Sequence, residues 1–235
     1  NPCCEPAPNQ FDFAKATAYF STALKIFHES GDKIKMSSVT LNMGNVYAYQ
    51  ANFPKALEYY IKALKLADET GDRNSAAFIV GNMGGIYLEM KDYNKALENL
   101  LNALKRFNDL GKGYEDDAAR VTMNIGVLYQ RLNDLENAQD YNIKALKMAE
   151  DLGLKDNIAN ISGNMALVFT KQKNYIQAIE YAQQSLQLSK QSGNKKLTAW
   201  ALYETGDAYL TMCQDTSVDK NRSISTGEKA TGRYR

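Results

Sequence analysis

A short string returns down the chain at a nearly fixed interval, and that interval limits the fold more than any other property of the sequence. Asn42-Met43-Gly44-x-x-Tyr47 reappears as Asn82-Met83-Gly84-x-x-Tyr87, as Asn124-Ile125-Gly126-x-x-Tyr129 and as Asn164-Met165-Ala166-x-x-Phe169. A looser copy reads Glu204-Thr205-Gly206-x-x-Tyr209, and the steps are 40, 42, 40 and 40 residues. Gly31, Gly71, Gly111, Gly153 and Gly193 form a second marker in the same register. A repeat of this size is one supersecondary unit that cannot bury its own apolar face, so successive copies must stack.

Each unit reads as two helices. The first runs from about Ser37 to Gln50 and holds the Asn-x-Gly-x-x-Tyr core. Asn52, Asp92, Asp134 and Asn174 then stand where a side-chain oxygen caps the next helix, and Pro54 falls in a first turn that tolerates it. In the second helix, Phe53 to Thr70, the apolar residues Ala56, Tyr60, Ala63, Leu64 and Ala67 keep helical spacing. The recurring glycines end it, because a left-handed residue past a helix terminus is easiest for glycine.

A glycine inside a helix costs about 1 kcal/mol relative to alanine. Its return at Gly44, Gly84, Gly126 and Gly206, with small Ala166 in the fourth copy, therefore predicts close approach of a neighbouring helix. Ala56, Ala96, Ala138 and Ala178 are the matching small residues of the second helices. Tyr47, Tyr87, Tyr129 and Phe169 fill the space beside them.

This pattern resembles the tetratricopeptide repeat. Its long period is similar to that of kinesin light chain, LGN-type adaptors and bacterial signalling proteins with extended repeats. The resemblance implies an all-α fold, a right-handed α-solenoid of about ten helices in which first helices line a concave groove. It covers residues 11–212, divided into a half repeat 11–34, repeats 37–74, 75–115, 116–155 and 156–194, and a terminal helix 195–212. Residues 1–10 are expected to be an extension and 213–235 a disordered tail, since the one holds three prolines and the other Ser, Thr and Gly with scattered charge. The pattern departs from the family at Leu100, Asn142 and Ala182, where Phe20 and Tyr60 supply an aromatic, and at Ser185, which replaces an alanine.

Little in the sequence points to catalysis. His28 is the single histidine, and its equivalents Asp68, Asn108, Glu150 and Lys190 mark an exposed position that accepts any polar group. Histidine-dependent triads and His-rich metal sites are excluded on that ground. No phosphate-binding glycine loop is present, and Cys3, Cys4 and Cys213 lack the spacing of a disulfide framework or a zinc site. Asp116 and Asp117 read as the acidic first turn of a helix. The net charge of +1 gives no field that would favour nucleic acid or a membrane surface. The expectation is a non-enzymatic cytoplasmic module with no cofactor, no nucleic acid and no membrane partner.

As the resemblance implies, the groove is read off the first helices. Its expected residues are Asn42, Asn45, Tyr49, Phe78, Asn82, Arg120, Met123, Asn124, Arg131, Asn164, Lys171, Trp200 and Tyr203. Asn42, Asn82, Asn124 and Asn164 form a ladder of amides, each both donor and acceptor, suited to the backbone of a partner peptide. In the adaptors that this chain resembles, asparagines at this place hold partner backbones. The other reading of the ladder is a bond between neighbouring helices of the array. Arg120, Arg131 and Lys171 give the middle of the groove positive character. The expected role is a protein-interaction scaffold or adaptor that binds a peptide segment. The alternative is a regulatory or sensor segment of a larger signalling protein, such as a kinase, cyclase or transcription regulator. Self-association through the array ends is a further expectation, because Phe11, Phe13 and Tyr19 would lack a covering helix.

Overall fold

A computed structural model describes residues 12–215. Ten α-helices occupy them: α1 (Phe13–Ser30), α2 (Lys33–Tyr49), α3 (Phe53–Thr70), α4 (Arg73–Glu89), α5 (Tyr93–Leu110), α6 (Glu115–Arg131), α7 (Leu135–Asp151), α8 (Lys155–Lys171), α9 (Tyr175–Ser192) and α10 (Lys195–Gln214). No strand occurs among the described residues. The chain divides into two compact units at Tyr114 and Glu115. The four-residue connection between α5 and α6 meets that boundary, and it carries two left-handed glycines, Gly111 and Gly113. The one 42-residue step of the repeat falls there.

In the first unit α2 pairs with α3 and α4 with α5, while α3 packs on α4, α1 lies on α2, and α2 touches α4. In the second, α6 pairs with α7 and α8 with α9. There α7 packs on α8, α10 lies on α9 and α8, and α6 touches α8. Each unit is thus a run of consecutive helical hairpins, as the repeat predicts.

The helix ends follow local chemistry. Asn52, Asp92, Asp134 and Asn174 accept from the backbone N–H three residues on, in the capping role the sequence assigns them. Gly31, Gly71 and Gly193 close α1, α3 and α9 in the left-handed conformation. The first helices begin earlier than the sequence suggests, α2 at Lys33 rather than Ser37. The cause is a second set of caps, Asp32, Asp72 and Asn194, each directly after a closing glycine. The last helix also runs on to Gln214. The expected extension 1–10, with Phe11, and the expected tail from 216 lie outside the described residues.

Close approach at the small residues holds in three of the four glycine positions. A Cβ at Gly44 would meet the Tyr60 ring at 2.5 Å, one at Gly84 the Leu100 side chain at 2.8 Å, and one at Gly126 the Asn142 amide at 2.6 Å. Gly206 corrects the expectation, because nothing lies within 4 Å of the corresponding point. The reason is that no second helix follows α10 among the described residues. Gly163, which the repeat string does not single out, is instead covered by the indole of Trp200.

Candidate functional site

In the first unit, the side on which α2 and α4 touch is built around one amide. Asn45 Oδ1 accepts from the Tyr60 hydroxyl at 2.8 Å and from Asn82 Nδ2 at 3.3 Å. Burial pushes the Tyr60 hydroxyl up to about 12, so it remains a proton donor at neutral pH. Asn82 is half-buried and its amide nitrogen is engaged with the neighbouring helix. Asn42 is exposed, and Tyr49 at the end of α2 is 80% exposed. Phe78 is half-buried, with its ring edge-on to the core residue Phe107 at 5.1 Å. It serves packing as well as the surface.

In the second unit the same side is formed by α6, α8 and α10. Asn124 is half-buried on α6, whereas Asn164 on α8 is only 8% exposed. Arg120 is half-buried and paired at 2.9 Å with Asp117 one turn earlier. Met123 packs against the core cluster that holds Ala145 and Met165. Arg131 and Lys171 are exposed at the ends of their helices, and the Lys171 ammonium reaches the Gln130 carbonyl at 3.5 Å. The carbonyls at a helix C-terminus carry partial negative charge, which favours a cation there. Tyr203 on α10 is 67% exposed.

The fifth rung of the ladder is not an amide. Glu204 is buried on α10, and that burial together with the charge of Asp207 raises its carboxyl to about 7, against a hydrogen bond from Trp200 that lowers it. Asn160, Asn194, Lys196, Leu197 and Trp200 line a recess of about 310 Å³ beside it. Trp200 is therefore held by α8 below and by Glu204 on its own helix, not splayed into solvent. Sequence reasoning missed this arrangement. The available signal was Gly163, directly before the asparagine, since an indole needs a glycine surface to lie on.

The structure thus brings Asn45 and Asn82 together, sets Phe78 against Phe107, and brings Trp200 together with Glu204. It leaves Asn42, Tyr49, Arg131, Lys171 and Tyr203 facing outward. Among the described residues no group of three His, Cys, Asp or Glu side chains is placed to hold a metal ion, and no helix is long and apolar enough to cross a membrane. His28 is exposed, as its equivalents in the other repeats predict.

The sequence profile of the tetratricopeptide repeat matches residues 9–69, 72–151 and 157–217. Solved structures share the fold across most of the chain. BtubC (BKLC) from P. vanneervenii is 16% identical with a TM-score of 0.72, over 96% of this chain and 94% of that one. The apo form of RapI is 21% identical with a TM-score of 0.76, over 93% and 78%. The Rap conjugation gene regulator of the plasmid pLS20, solved in complex with the Phr* peptide, is 18% identical with a TM-score of 0.61, over 84% and 56%. At these identities the likeness is one of fold. No curated protein matches the sequence.

Proposed function

The chain belongs to the tetratricopeptide repeat family, and from that premise we propose that it is a protein-interaction module whose first helices bind a peptide segment of a partner. The observation that carries this reading is the character of one side of these helices. The other side of α2, α4, α6 and α8 packs against second helices, with the small residues Gly44, Gly84, Gly126 and Ala166 buried there. The side on which first helices touch keeps a polar residue at every rung, Asn42, Asn82, Asn124, Asn164 and Glu204, and adds the exposed rings of Tyr49 and Tyr203. Exposed tyrosines beside amides are what peptide interfaces use, since a ring offers area at low entropy cost and an amide pairs with backbone.

In the first unit Asn42 and Tyr49 are the free elements, with Asn82 offering its carbonyl while its nitrogen stays on Asn45. In the second, Asn124 is the accessible amide, and Arg131 and Lys171 supply positive charge that suits acidic residues in the peptide. Asn164 is too buried to lead. The solved complex of a fold relative with the Phr* peptide supports a peptide as ligand. The chemistry needs no cofactor and no catalytic group.

Selection of a random displayed peptide library on the chain tests this. The winning peptide should lose about fivefold to a hundredfold in affinity when Asn42 and Asn82, both in the first unit, are together replaced by alanine, each bond being worth about 0.5–1.5 kcal/mol. The helical signal should persist. Ile61→Ser and Ile143→Ser, at exposed positions of second helices, should leave affinity unchanged. Unchanged affinity in the double variant, or loss in the isoleucine controls, would remove the first-helix side from consideration.

A further inference from the structure

Asn45 and Tyr60 hold register positions that every hairpin fills differently. The place of Asn45 is taken by Gly85 in α4, Val127 in α6 and Leu167 in α8, and that of Tyr60 by Leu100 in α5, Asn142 in α7 and Ala182 in α9. An amide on the first helix and a hydroxyl on the second thus coincide in one hairpin, α2–α3. There they are bonded, the Tyr60 hydroxyl donating to Asn45 Oδ1 at 2.8 Å. Where a polar filler returns, at Asn142, the matching position is Val127 and the amide has no partner.

Tyr60 decides which way the Asn45 amide points. It is 2% exposed, and burial keeps its hydroxyl protonated, up to about 12. That buried proton needs an acceptor, and among the described residues it reaches Asn45 Oδ1. The orientation of an amide is set by the hydrogen bonds around it, so Asn45 turns its oxygen inward and its nitrogen away. The same oxygen accepts from Asn82 Nδ2 at 3.3 Å, which turns Asn82 Oδ1 away as well. Asn45 Nδ2 and Asn82 Oδ1 have no partner among the described residues, and neither is sealed from solvent, in contrast to the Asn142 amide. Where the two helices touch, α2 therefore offers a donor and α4 an acceptor.

Without the hydroxyl the pair has a second arrangement with the same bond between its amides. Both amides turn over, Asn45 Nδ2 donates to Asn82 Oδ1, and the outward groups exchange, with the acceptor now on α2 and the donor on α4. The Tyr60 proton opposes this arrangement, because it would then face an NH2 group.

We propose that Tyr60 is a positioning residue that fixes the direction of the bound peptide. Along any chain a residue carries its N–H before its C=O. An extended residue that gives its N–H to Asn82 Oδ1 and accepts at its C=O from Asn45 Nδ2 runs from α4 to α2, N-terminus to C-terminus. Proline is excluded at that residue, since it has no N–H to give. The inference rests on the proposed peptide site and adds to it a direction and a backbone requirement.

The probe is a peptide selected on the chain from the displayed library, with each backbone amide replaced in turn by an ester, which deletes one N–H. One such replacement should weaken binding about threefold to tenfold, and that penalty should vanish in Asn82→Ala. A nitroxide on the peptide N-terminus should broaden the NMR signals of α4 more than those of α2, and one on its C-terminus the reverse. In Tyr60→Phe each label should broaden both helices alike. The ester penalty should there fall to about twofold or less, because the reversed mode does not use that N–H. Leu100→Val, a change at a buried apolar residue of α5, should keep both penalty and direction, which separates orientation from stability. A peptide indifferent to Asn42 and Asn82 overturns this proposal together with the proposed function. A peptide that needs them but has no ester-sensitive residue, runs from α2 to α4, or keeps one direction in Tyr60→Phe overturns this proposal alone.

Discussion

Hairpins α2–α3 and α6–α7 share one helix pairing but set different residues against the same notch. At Gly44 the filler is Tyr60, whose ring packs on the glycine while its hydroxyl reaches Asn45. At Gly126 the filler is Asn142, fully buried, with neither amide atom bonded to protein. In α4–α5 the filler is the Leu100 side chain, which carries no polar atom. The notch is therefore a steric requirement on the first helix and a loose one on the second. Absence of a side chain at the glycine holds the helices together, while the filler varies from well satisfied to costly.

This difference predicts a ranked set of effects. Gly84→Leu should be the most damaging, because its Cβ alone would stand 3.2 Å from the Leu100 backbone nitrogen, which cannot swing away. A loss of about 3 kcal/mol is expected from overpacking, seen as an early melt by circular dichroism. Asn142→Leu should act in the opposite direction. It puts the filler of α4–α5 into α6–α7 and removes a buried amide without partners, for a gain of about 2 kcal/mol in denaturant unfolding. A loss instead would show that the Asn142 amide is satisfied. Tyr60→Phe keeps the ring and deletes one bond, so a loss of about 1 kcal/mol is expected, while Asn45 retains Asn82.

A finer contrast concerns pH. Glu204 has a carboxyl raised from 4.5 to about 7 in the folded chain, chiefly by burial. Folding therefore favours the protonated acid. Its contribution is intact below 4.5, declines as pH rises through this window, and is fully lost above about 7. Relative to Glu204→Gln, the parent should lose melting temperature between these limits and run parallel outside them. A pH-independent gap would place the carboxyl in a better-solvated setting than its burial implies.

Much of this fold could be read before any coordinates. Helix pairs, the caps at Asn52, Asp92, Asp134 and Asn174, and the role of Gly44, Gly84 and Gly126 follow from residue type and spacing. Other features do not announce themselves. Ala51, Lys91, Asn133 and Lys173 turn the chain from first to second helix in the left-handed region, and only Asn133 is a residue type that suggests it. Asp32 and Asp72 act as caps, but standing directly after glycine they read as part of a longer loop.

The candidate site was legible only as a register. Asn42, Asn82, Asn124 and Asn164 hold one position in the repeat, yet their exposure differs with their neighbours. Within its unit α2 meets a single first helix, α4, and Asn42 remains exposed. By contrast α8 touches both α6 and α10, and Asn164 is buried. The Asn45–Asn82 bond joins residues of two repeats across a helix contact, which periodicity cannot foresee.

Photo-crosslinking tests the first-helix side as the peptide site most directly. A benzophenone amino acid installed at Tyr49 or Tyr203, both largely exposed, should capture a library-selected peptide, and the same group at Ile61 or Ile143 should not. Capture at the isoleucine positions with none at the tyrosines would place the peptide on the second helices and contradict the proposed function.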